Sequence, residues 1–255
     1  MESEAGLKML FWTGTAIMVF SALGVLLITL LYQKKVHKIR QKESENLLKA
    51  SLESEKRERK RIATDFHDSV SGDLNAIRNY ISILDQKEKD PINKDILLEI
   101  KSSLEDMLSN VQNINYNLMP PLLESSGLVP TLNDYFERVK RMNNIVITAH
   151  YYQKTIPVSS SDAYELYRII QELISNTLKH GNAGYIDFSI VENDNLLEMH
   201  ISDDSTPFDF YKNLKDTSGM GLKNIISRIK HIGAALEQIP VDKGNKIILR
   251  LKNPE

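Results

Sequence analysis

The stretch ERKRIATDFHDSVSGDLNAIRNYISIL, residues 58–84, carries apolar side chains at intervals of three or four residues. This spacing places the side chains on one face of an α-helix, so it predicts a helix with a single narrow apolar seam. A polar break at KEKDPINK, residues 87–94, contains Pro91 and is expected to end the helix. The seam residues are Ile62, Phe66, Val70, Leu74, Ile77, Ile81 and Leu84.

A second segment repeats the pattern until Pro120 and Pro121 interrupt it. Two such helices joined by a short turn form a hairpin that cannot bury both seams by itself. We therefore expect residues 58–119 to dimerise into a four-helix bundle; a hairpin packed on the rest of its own chain is the alternative. The second seam consists of Leu97, Ile100, Leu104, Met107, Val111, Ile114 and Leu118.

The N-terminal part of the chain predicts one transmembrane helix. Residues 9–33 contain no charged side chain. As a helix, this stretch is long enough to cross a hydrocarbon core of roughly 30 Å. Trp12 and Tyr32 lie near the two ends, where aromatic rings favour the membrane interface. A cleaved signal peptide is the alternative, but the preceding residues lack a basic region and the apolar run is long.

Basic residues directly follow the apolar run, at Lys34, Lys35, Lys38 and Arg40, so the bulk of the chain is expected in the cytoplasm. Residues 1–8 are then a short extracytoplasmic N-terminus. Residues 34–57 are rich in charged side chains and contain neither Gly nor Pro, which predicts a charged helical connector.

The composition excludes some classes of function. A formal net charge of −2 argues against direct nucleic-acid binding as the main activity. The sequence has no cysteine, which excludes disulfides and thiolate metal sites.

After a linker at residues 120–128, residues 129–255 predict an α+β sandwich with helices on one face of a mixed sheet. A flexible segment is expected at residues 204–218. The expected helices are 130–142, 162–179 and 220–232, and the expected strands are 145–151, 185–191, 196–202, 235–240 and 246–251.

His67 is a candidate catalytic residue. It lies about 100° round the helix from Phe66, so we expect it on the solvent-facing flank of the hairpin. Asp68 follows directly, and a carboxylate beside an imidazole can orient the ring and take up a proton as the ring attacks phosphorus. A surface His–Asp pair commonly has no function, so this hypothesis depends on the surrounding motif.

A second candidate site lies on the helix expected at 162–179. Glu172, Asn176 and Lys179 fall on one face, and carboxylate and amide oxygens suit Mg²⁺. A solvated polar face is the alternative for this helix alone. The downstream order favours a nucleotide site, because Asp203 ends an alternating strand and GMG, residues 219–221, opens a helix whose free N–H groups can hold phosphates.

Together these motifs resemble the sensor histidine kinases that pair with LuxR-type response regulators, over roughly residues 55–252. The phosphoacceptor motif matches at Arg61, Ile62, Ala63, Asp65, His67 and Asp68. The resemblance implies a Bergerat-type ATP-binding fold, with ATP and Mg²⁺ as cofactors. Its implied site comprises catalytic His67, Asp68 and Glu172, metal ligands Asn176 and Glu172, and nucleotide contacts at Asn176, Lys179, His180, Asp203, Gly219, Gly221 and Leu222.

Two departures from the family pattern stand out. The first glycine box has Ser205 and Pro207 where the family has glycines, which is expected to narrow the backbone conformations there and to weaken ATP binding. Gly72 stands where many relatives carry a glutamine that positions water for dephosphorylating the regulator. Glycine has no side chain that could position this water.

The sequence thus predicts a single-pass homodimer in the bacterial inner membrane that phosphorylates His67 from ATP. The phosphoryl group would pass to an aspartate of a LuxR-type receiver protein. A membrane-anchored scaffold that does not turn over ATP is the main alternative, motivated by the altered glycine box. ATP hydrolysis of the chaperone or mismatch-repair kind is a third hypothesis.

Overall fold

A computed structural model of the chain describes residues 2–193, 196–216 and 220–252, with side chains from residue 12 onwards except at 16, 19, 215, 216 and 220. The chain divides into two compact units, Met1–Ser51 and Leu52–Glu255. Helix α1, Glu2–Asp65, begins in the first unit and ends in the second.

The first unit is helical and carries the apolar run. Large apolar side chains between residues 12 and 32 are exposed, among them Trp12, Phe20 and Tyr32. Among the described residues, one helix is long and apolar enough to cross a membrane by its length and composition. A helix at residues 9–33 is confirmed.

In the second unit, a π-helical turn, Phe66–Val70, joins α1 to α2, Ser71–Lys87, and α3 spans Pro91–Leu118. Pro91 occupies the start of α3, and the Asp90 carboxylate accepts a hydrogen bond from the N–H of Ile92 at 2.8 Å. The predicted break is confirmed. The π turn was not predicted, because wide turns have no distinctive apolar spacing; in it the Ser71 N–H bonds to the carbonyl of Phe66.

The hairpin buries only part of its two seams. Of the seam residues, Ile81 and Leu104 are buried; Leu108, which lies outside the predicted seam, is buried as well. Other seam residues remain 44–56% exposed: Ile77, Leu84, Ile100, Met107 and Ile114. These residues recur every seven positions, so they form an exposed apolar stripe along one side of α2 and one side of α3.

The linker at 120–128 is partly helical. Helix α4 spans Leu122–Ser126 and is anchored by buried Leu123. Gly127 then adopts φ 81°, a conformation that favours glycine, and α5 begins at the next residue and spans Leu128–Asn143.

The remaining chain builds a five-stranded mixed sheet with strand order β1-β2-β3-β5-β4. The β1–β2 pair is parallel and the other pairs are antiparallel. The elements are β1 Val146–Tyr151, α6 Ser160–His180, β2 Tyr185–Asn193, β3 Leu196–Asp203, α7 Phe210–Asp216, α8 Met220–His231, β4 Ala235–Ile239 and β5 Asn245–Lys252.

Alternate strand residues face a common core. Phe188 pairs with Ile201, and Ile201 with Ile247, so that one apolar face runs across three strands. Buried residues of α5, α6 and α8 belong to the same core, and the rings of Phe136 and Phe188 lie 5.1 Å apart. The predicted α+β sandwich is confirmed.

The expectation of a flexible segment at 204–218 was wrong for residues 210–216, which form α7. Phe210 is fully buried, and the Tyr211 hydroxyl donates to the carbonyl of Leu236 at 2.7 Å. These two aromatic residues were not recognised as buried contacts in the sequence, because polar residues surround them and no apolar spacing is present. Residues 217–218 lie outside the described residues.

Candidate functional site

The phosphoacceptor candidate lies in the π turn. His67 is exposed there, as the sequence predicted. It lines a cavity of about 510 Å³, together with Lys60, Asp68, Asn115, Tyr116 and Glu124. A salt bridge of 2.9 Å between Lys60 and Glu124 joins α1 to α4 at this cavity. The imidazole is therefore accessible to another molecule.

The two acidic neighbours of His67 differ in their surroundings. Asp65 accepts a hydrogen bond from Arg61 at 2.8 Å, and Arg61 also binds Glu58. Asp68, in contrast, forms no ion pair with any residue in the described part of the chain. Asp68 is thus the carboxylate left available to the imidazole.

Helix α6 presents the second set of candidates. It begins at a capping residue, Ser159, whose hydroxyl accepts a hydrogen bond from the N–H of Asp162 at 3.0 Å. Its apolar face is fully buried at Leu166, Tyr167, Ile170 and Ile174. Its other face carries Glu172 and Asn176, which are half-buried, and Lys179 and His180, which are exposed. The predicted amphipathic arrangement is confirmed.

Helix α8 meets α6 at Gly221. A Cβ at this position would overlap the carboxylate of Glu172 and would lie 3.8 Å from Nδ2 of Asn176. The structure therefore brings Gly221, Glu172 and Asn176 together at the start of α8. A larger residue would occupy the space beside the two polar side chains.

The neighbouring residues of the glycine motif have different positions. Leu222 packs against the hydrophobic core, so it holds the start of α8 on that core. Gly219 lies outside the described residues. Nucleotide contact by Gly219 or Leu222 stays a prediction.

Asp203 ends β3 and is held from several sides. Its Oδ2 accepts from the Thr177 hydroxyl at 3.2 Å. Its Oδ1 accepts from the Ser205 N–H at 3.0 Å and from Nδ2 of Asn245 at 3.1 Å. Asn245, a buried amide at the start of β5, was not predicted from the sequence. This network fixes the carboxylate where it could accept a hydrogen bond from a ligand.

The altered glycine box is tied down by side chains. Ser205 packs on Gly181, where an added Cβ would collide with it, and the Thr206 N–H donates to the Gly181 carbonyl at 3.0 Å. The Asp204 carboxylate accepts from the N–H groups of Gly184 and Tyr185, each at 2.9 Å. These bonds, chiefly the one from Tyr185, lower the pKa of the Asp204 carboxyl.

The donor set at α6 suits a nucleotide with Mg²⁺. Within the described ranges, no group of three or more His, Cys, Asp or Glu side chains could hold a metal alone. A carboxylate and an amide beside Gly221 nevertheless offer hard oxygen ligands. Mg²⁺ commonly takes one or two such ligands and completes its shell with water and phosphate. The residues fit an ion that arrives with a phosphate ligand.

The structure does not bring His67 to this second site. The cavity at His67 shares no lining residue with the cavity of about 440 Å³ at Glu172 and Lys179. The residue of α1 that lines the cavity at Glu172 is Arg59, eight residues before His67. At 1.5 Å per helical residue, this corresponds to about 12 Å along α1.

Two charged residues that the sequence analysis missed connect α6 to α8. Arg228 and Glu165 form an ion pair in which both side chains are almost fully buried. Each residue stands among apolar neighbours on its helix, Ile225 and Ile229 around Arg228, and Leu166 beside Glu165. A charged residue on an apolar helical face was the available signal.

Comparison with known proteins finds similarity to histidine kinases. The histidine kinase family model matches residues 58–123. The chain is 27% identical over 196 residues to the sensor histidine kinase ComP of Bacillus subtilis, covering 74% of this chain and 26% of ComP. It is 28% identical over 192 residues to the sensor protein VraS of Staphylococcus aureus, covering 74% of this chain and 54% of VraS.

The chain thus spans about a quarter of one relative, 26%, and about half of the other, 54%. Among solved structures, the histidine kinase domain of the Erythrobacter litoralis blue-light activated kinase matches with a TM-score of 0.47 and 12% identity. That match covers 71% of this chain and 94% of the domain.

Proposed function

We propose that this chain is a sensor histidine kinase of the class that pairs with LuxR-type regulators, and that it transfers the γ-phosphoryl group of ATP to His67. The observation that carries the proposal is the exposure of His67 inside the segment that matches the family. The phosphoryl group would then pass to an aspartate on the receiver domain of a response regulator, consistent with the sensor proteins among its relatives.

In the proposed reaction, the Nε2 lone pair of His67 attacks the γ-phosphorus of ATP. A nitrogen–phosphorus bond forms, the bond from that phosphorus to the bridging oxygen breaks, and ADP leaves with the electron pair. The ring becomes more acidic as it loses electron density, and the Asp68 carboxylate can orient Nδ1–H and accept its proton. Because little covalent chemistry is needed, positioning and charge neutralisation supply most of the acceleration.

The nucleotide would bind in the Bergerat-type domain at residues 129–255. Asn176 and Glu172 would hold Mg²⁺, which neutralises phosphate charge when bound. Lys179 and His180 would contact phosphate oxygens, and the N–H groups at the start of α8, from Gly221, would donate to them. Asp203, fixed by Thr177, Ser205 and Asn245, would accept a hydrogen bond from the adenine amino group.

We further propose a homodimer anchored in the cell membrane. The exposed apolar stripe on α2 and α3 supports the dimer, because a second copy would bury it in a four-helix bundle. The exposed apolar run after residue 12 supports a single membrane span, and the basic residues after Gln33 support a cytoplasmic location for the remainder.

The test uses the full-length chain in lipid nanodiscs with Mg²⁺ and radiolabelled ATP. The expected product is an acid-labile, base-stable phosphoprotein whose label is absent from His67→Gln. The matched control is His37→Gln, because His37 is also exposed on α1 and should keep the label. Label that survives His67→Gln, or the absence of label from the wild type, would contradict the proposal. Calorimetry with ATP and Mg²⁺ tests the scaffold alternative, because tight Mg²⁺-dependent binding that is lost in Asn176→Asp favours the kinase.

A further inference from the structure

The guanidinium of Arg228 lies between two carboxylates from different parts of the fold. Nη1 bonds to Glu165 of α6 at 2.5 Å, and Nη2 bonds to Glu55 of α1 at 2.5 Å. The side chains of Arg228 and Glu165 are 5% and 4% exposed, whereas that of Glu55 is 36% exposed. One cation therefore has a buried partner and a second partner at the surface.

The Glu165 bond serves the ATP-binding domain itself, since it joins α6 to α8. The Glu55 bond has a different function, because α1 lies outside that domain. Other contacts of α1 support the docking: Lys56 lies over the Tyr164 ring at 4.8 Å. Within α1, Arg59 donates to Glu55 at 2.7 Å, so the Glu55 carboxylate has a second cationic partner besides Arg228. Burial alone would raise the pKa of the Glu55 carboxyl, but Arg59 and Arg228 together lower it.

The docked segment lies close to the proposed nucleotide site. Glu55 and Arg59 line a small cavity of about 60 Å³ with Glu172, Asn224 and Arg228. Glu172 is the side chain that abuts Gly221 at the start of α8. His67, however, is twelve residues beyond Glu55, which is about 18 Å along a helix. While Glu55 is docked, residues 55–59 and not His67 face this side of the domain.

We propose that the Glu55–Arg228 contact is an autoinhibitory latch, which holds the ATP-binding domain against residues 55–59 of α1 and away from His67. This inference rests on the proposed function, because it concerns the approach of the nucleotide to that histidine. Transfer requires the domain to leave Glu55 and move along the hairpin.

The pairing of Arg228 makes this release inexpensive. Breaking a buried ion pair is costly when it leaves one charge buried without a partner. Here Arg228 keeps Glu165, and Glu55 returns to water from a half-exposed position. The released state therefore leaves neither charge buried and unpaired, as a reversible contact requires.

The test compares Glu55→Gln and Glu55→Arg with Glu53→Gln in the full-length chain in nanodiscs. Glu53 is exposed on the same helix, so its substitution makes a matched change of charge away from Arg228. The latch predicts that Glu55→Gln raises the initial rate of His67 phosphorylation roughly fivefold, the scale of one partly exposed charged hydrogen bond. Glu55→Arg should raise it further, and the Kd for ATP should stay within about twofold of the wild type.

A distance measurement tests the contact without relying on kinase activity. Because the sequence has no cysteine, Glu53→Cys and Lys230→Cys allow two spin labels to be placed specifically at exposed positions. With the labelled chain diluted in an excess of unlabelled chain, so that distances between two copies do not contribute, pulsed electron resonance should give one short distance in this background. Addition of Glu55→Gln should introduce a population at longer distance.

Faster phosphorylation together with the longer distance supports the latch. An unchanged distance, or a changed distance with an unchanged rate, overturns it. If no variant phosphorylates His67 while the distance still changes, the proposed function has failed and the regulatory role fails with it. The unchanged distance is thus the result that refutes the contact alone.

Discussion

Substitution of Gly221 by alanine should weaken nucleotide binding more than it destabilises the fold. The added Cβ would overlap the carboxylate of Glu172 and lie 3.3 Å from its Cδ. The overlapping group is the end of a flexible side chain, so rotation of Glu172 can relieve most of the clash. We therefore expect the free energy of unfolding to fall by only about 1 kcal/mol, the lower end of the range for overpacking.

The relief of the clash has a cost for the site. A rotated Glu172 no longer lies beside Asn176, so one of the two proposed oxygen ligands is displaced. Loss of one charged contact to the Mg²⁺–nucleotide complex corresponds to about 1.5 kcal/mol, or about a tenfold increase in Kd. Isothermal titration with Mg²⁺ and a non-hydrolysable ATP analogue measures Kd, and thermal unfolding measures stability.

Gly72→Ala is the matched control for this experiment. Gly72 lies in helix α2, and an added Cβ would meet no atom within 4 Å. Alanine favours a helix over glycine by up to about 1 kcal/mol, so this variant should be as stable as the wild type or more so. Equal nucleotide affinities for the Gly221 and Gly72 variants would refute the contact between α8 and the polar face of α6.

Three further substitutions test the site and the interface. Ser205→Gly removes a hydroxyl that bonds to Asp203, and we expect a severalfold weaker Kd for the ATP analogue, measured by titration; an unchanged Kd would mean that this bond does not support the site. Asp204→Asn should lower the melting temperature at neutral pH. Since the folded pKa of Asp204 lies below its ordinary value of 3.8, this stabilisation is complete above that value and is lost as the pH falls through the folded pKa. The difference in melting temperature between wild type and variant should therefore narrow only below about pH 4, and a constant difference down to pH 2 would contradict it. Met107→Glu places a charge in the exposed apolar stripe and should shift the chain towards monomer in light scattering, whereas Ser102→Glu on the opposite face of α3 should not.

The sequence was sufficient to predict a helix or strand wherever apolar residues recur at a regular spacing, because that spacing follows from the burial of one face. The apolar positions of α6 predicted its buried face, and the alternation in β3 predicted a strand that ends at Asp203. The break before Pro91 was predictable for the same reason, because proline and a capping aspartate have direct consequences for the backbone.

Features set by single contacts could not be predicted from spacing. The π turn at Phe66–Val70 changes the hydrogen-bond pattern without changing the composition of the helix. The bond from Asn245 to Asp203 joins residues far apart in sequence. Glu55 lies in a segment where charged residues are frequent. The sequence of this segment does not show which of its carboxylates contacts Arg228.

The loss of both glycines from the first glycine box has a limited structural consequence. Glycine is required where the backbone adopts a positive φ, but neither Ser205 nor Pro207 does so. Ser205 instead adds bonds to Asp203 and packs against Gly181. What the segment loses is conformational freedom, while the position of the Asp203 carboxylate becomes better fixed. We therefore expect Ser205 and Pro207 to slow the rearrangement of this segment around a bound nucleotide. We expect a smaller effect on how well the Asp203 carboxylate fits the nucleotide.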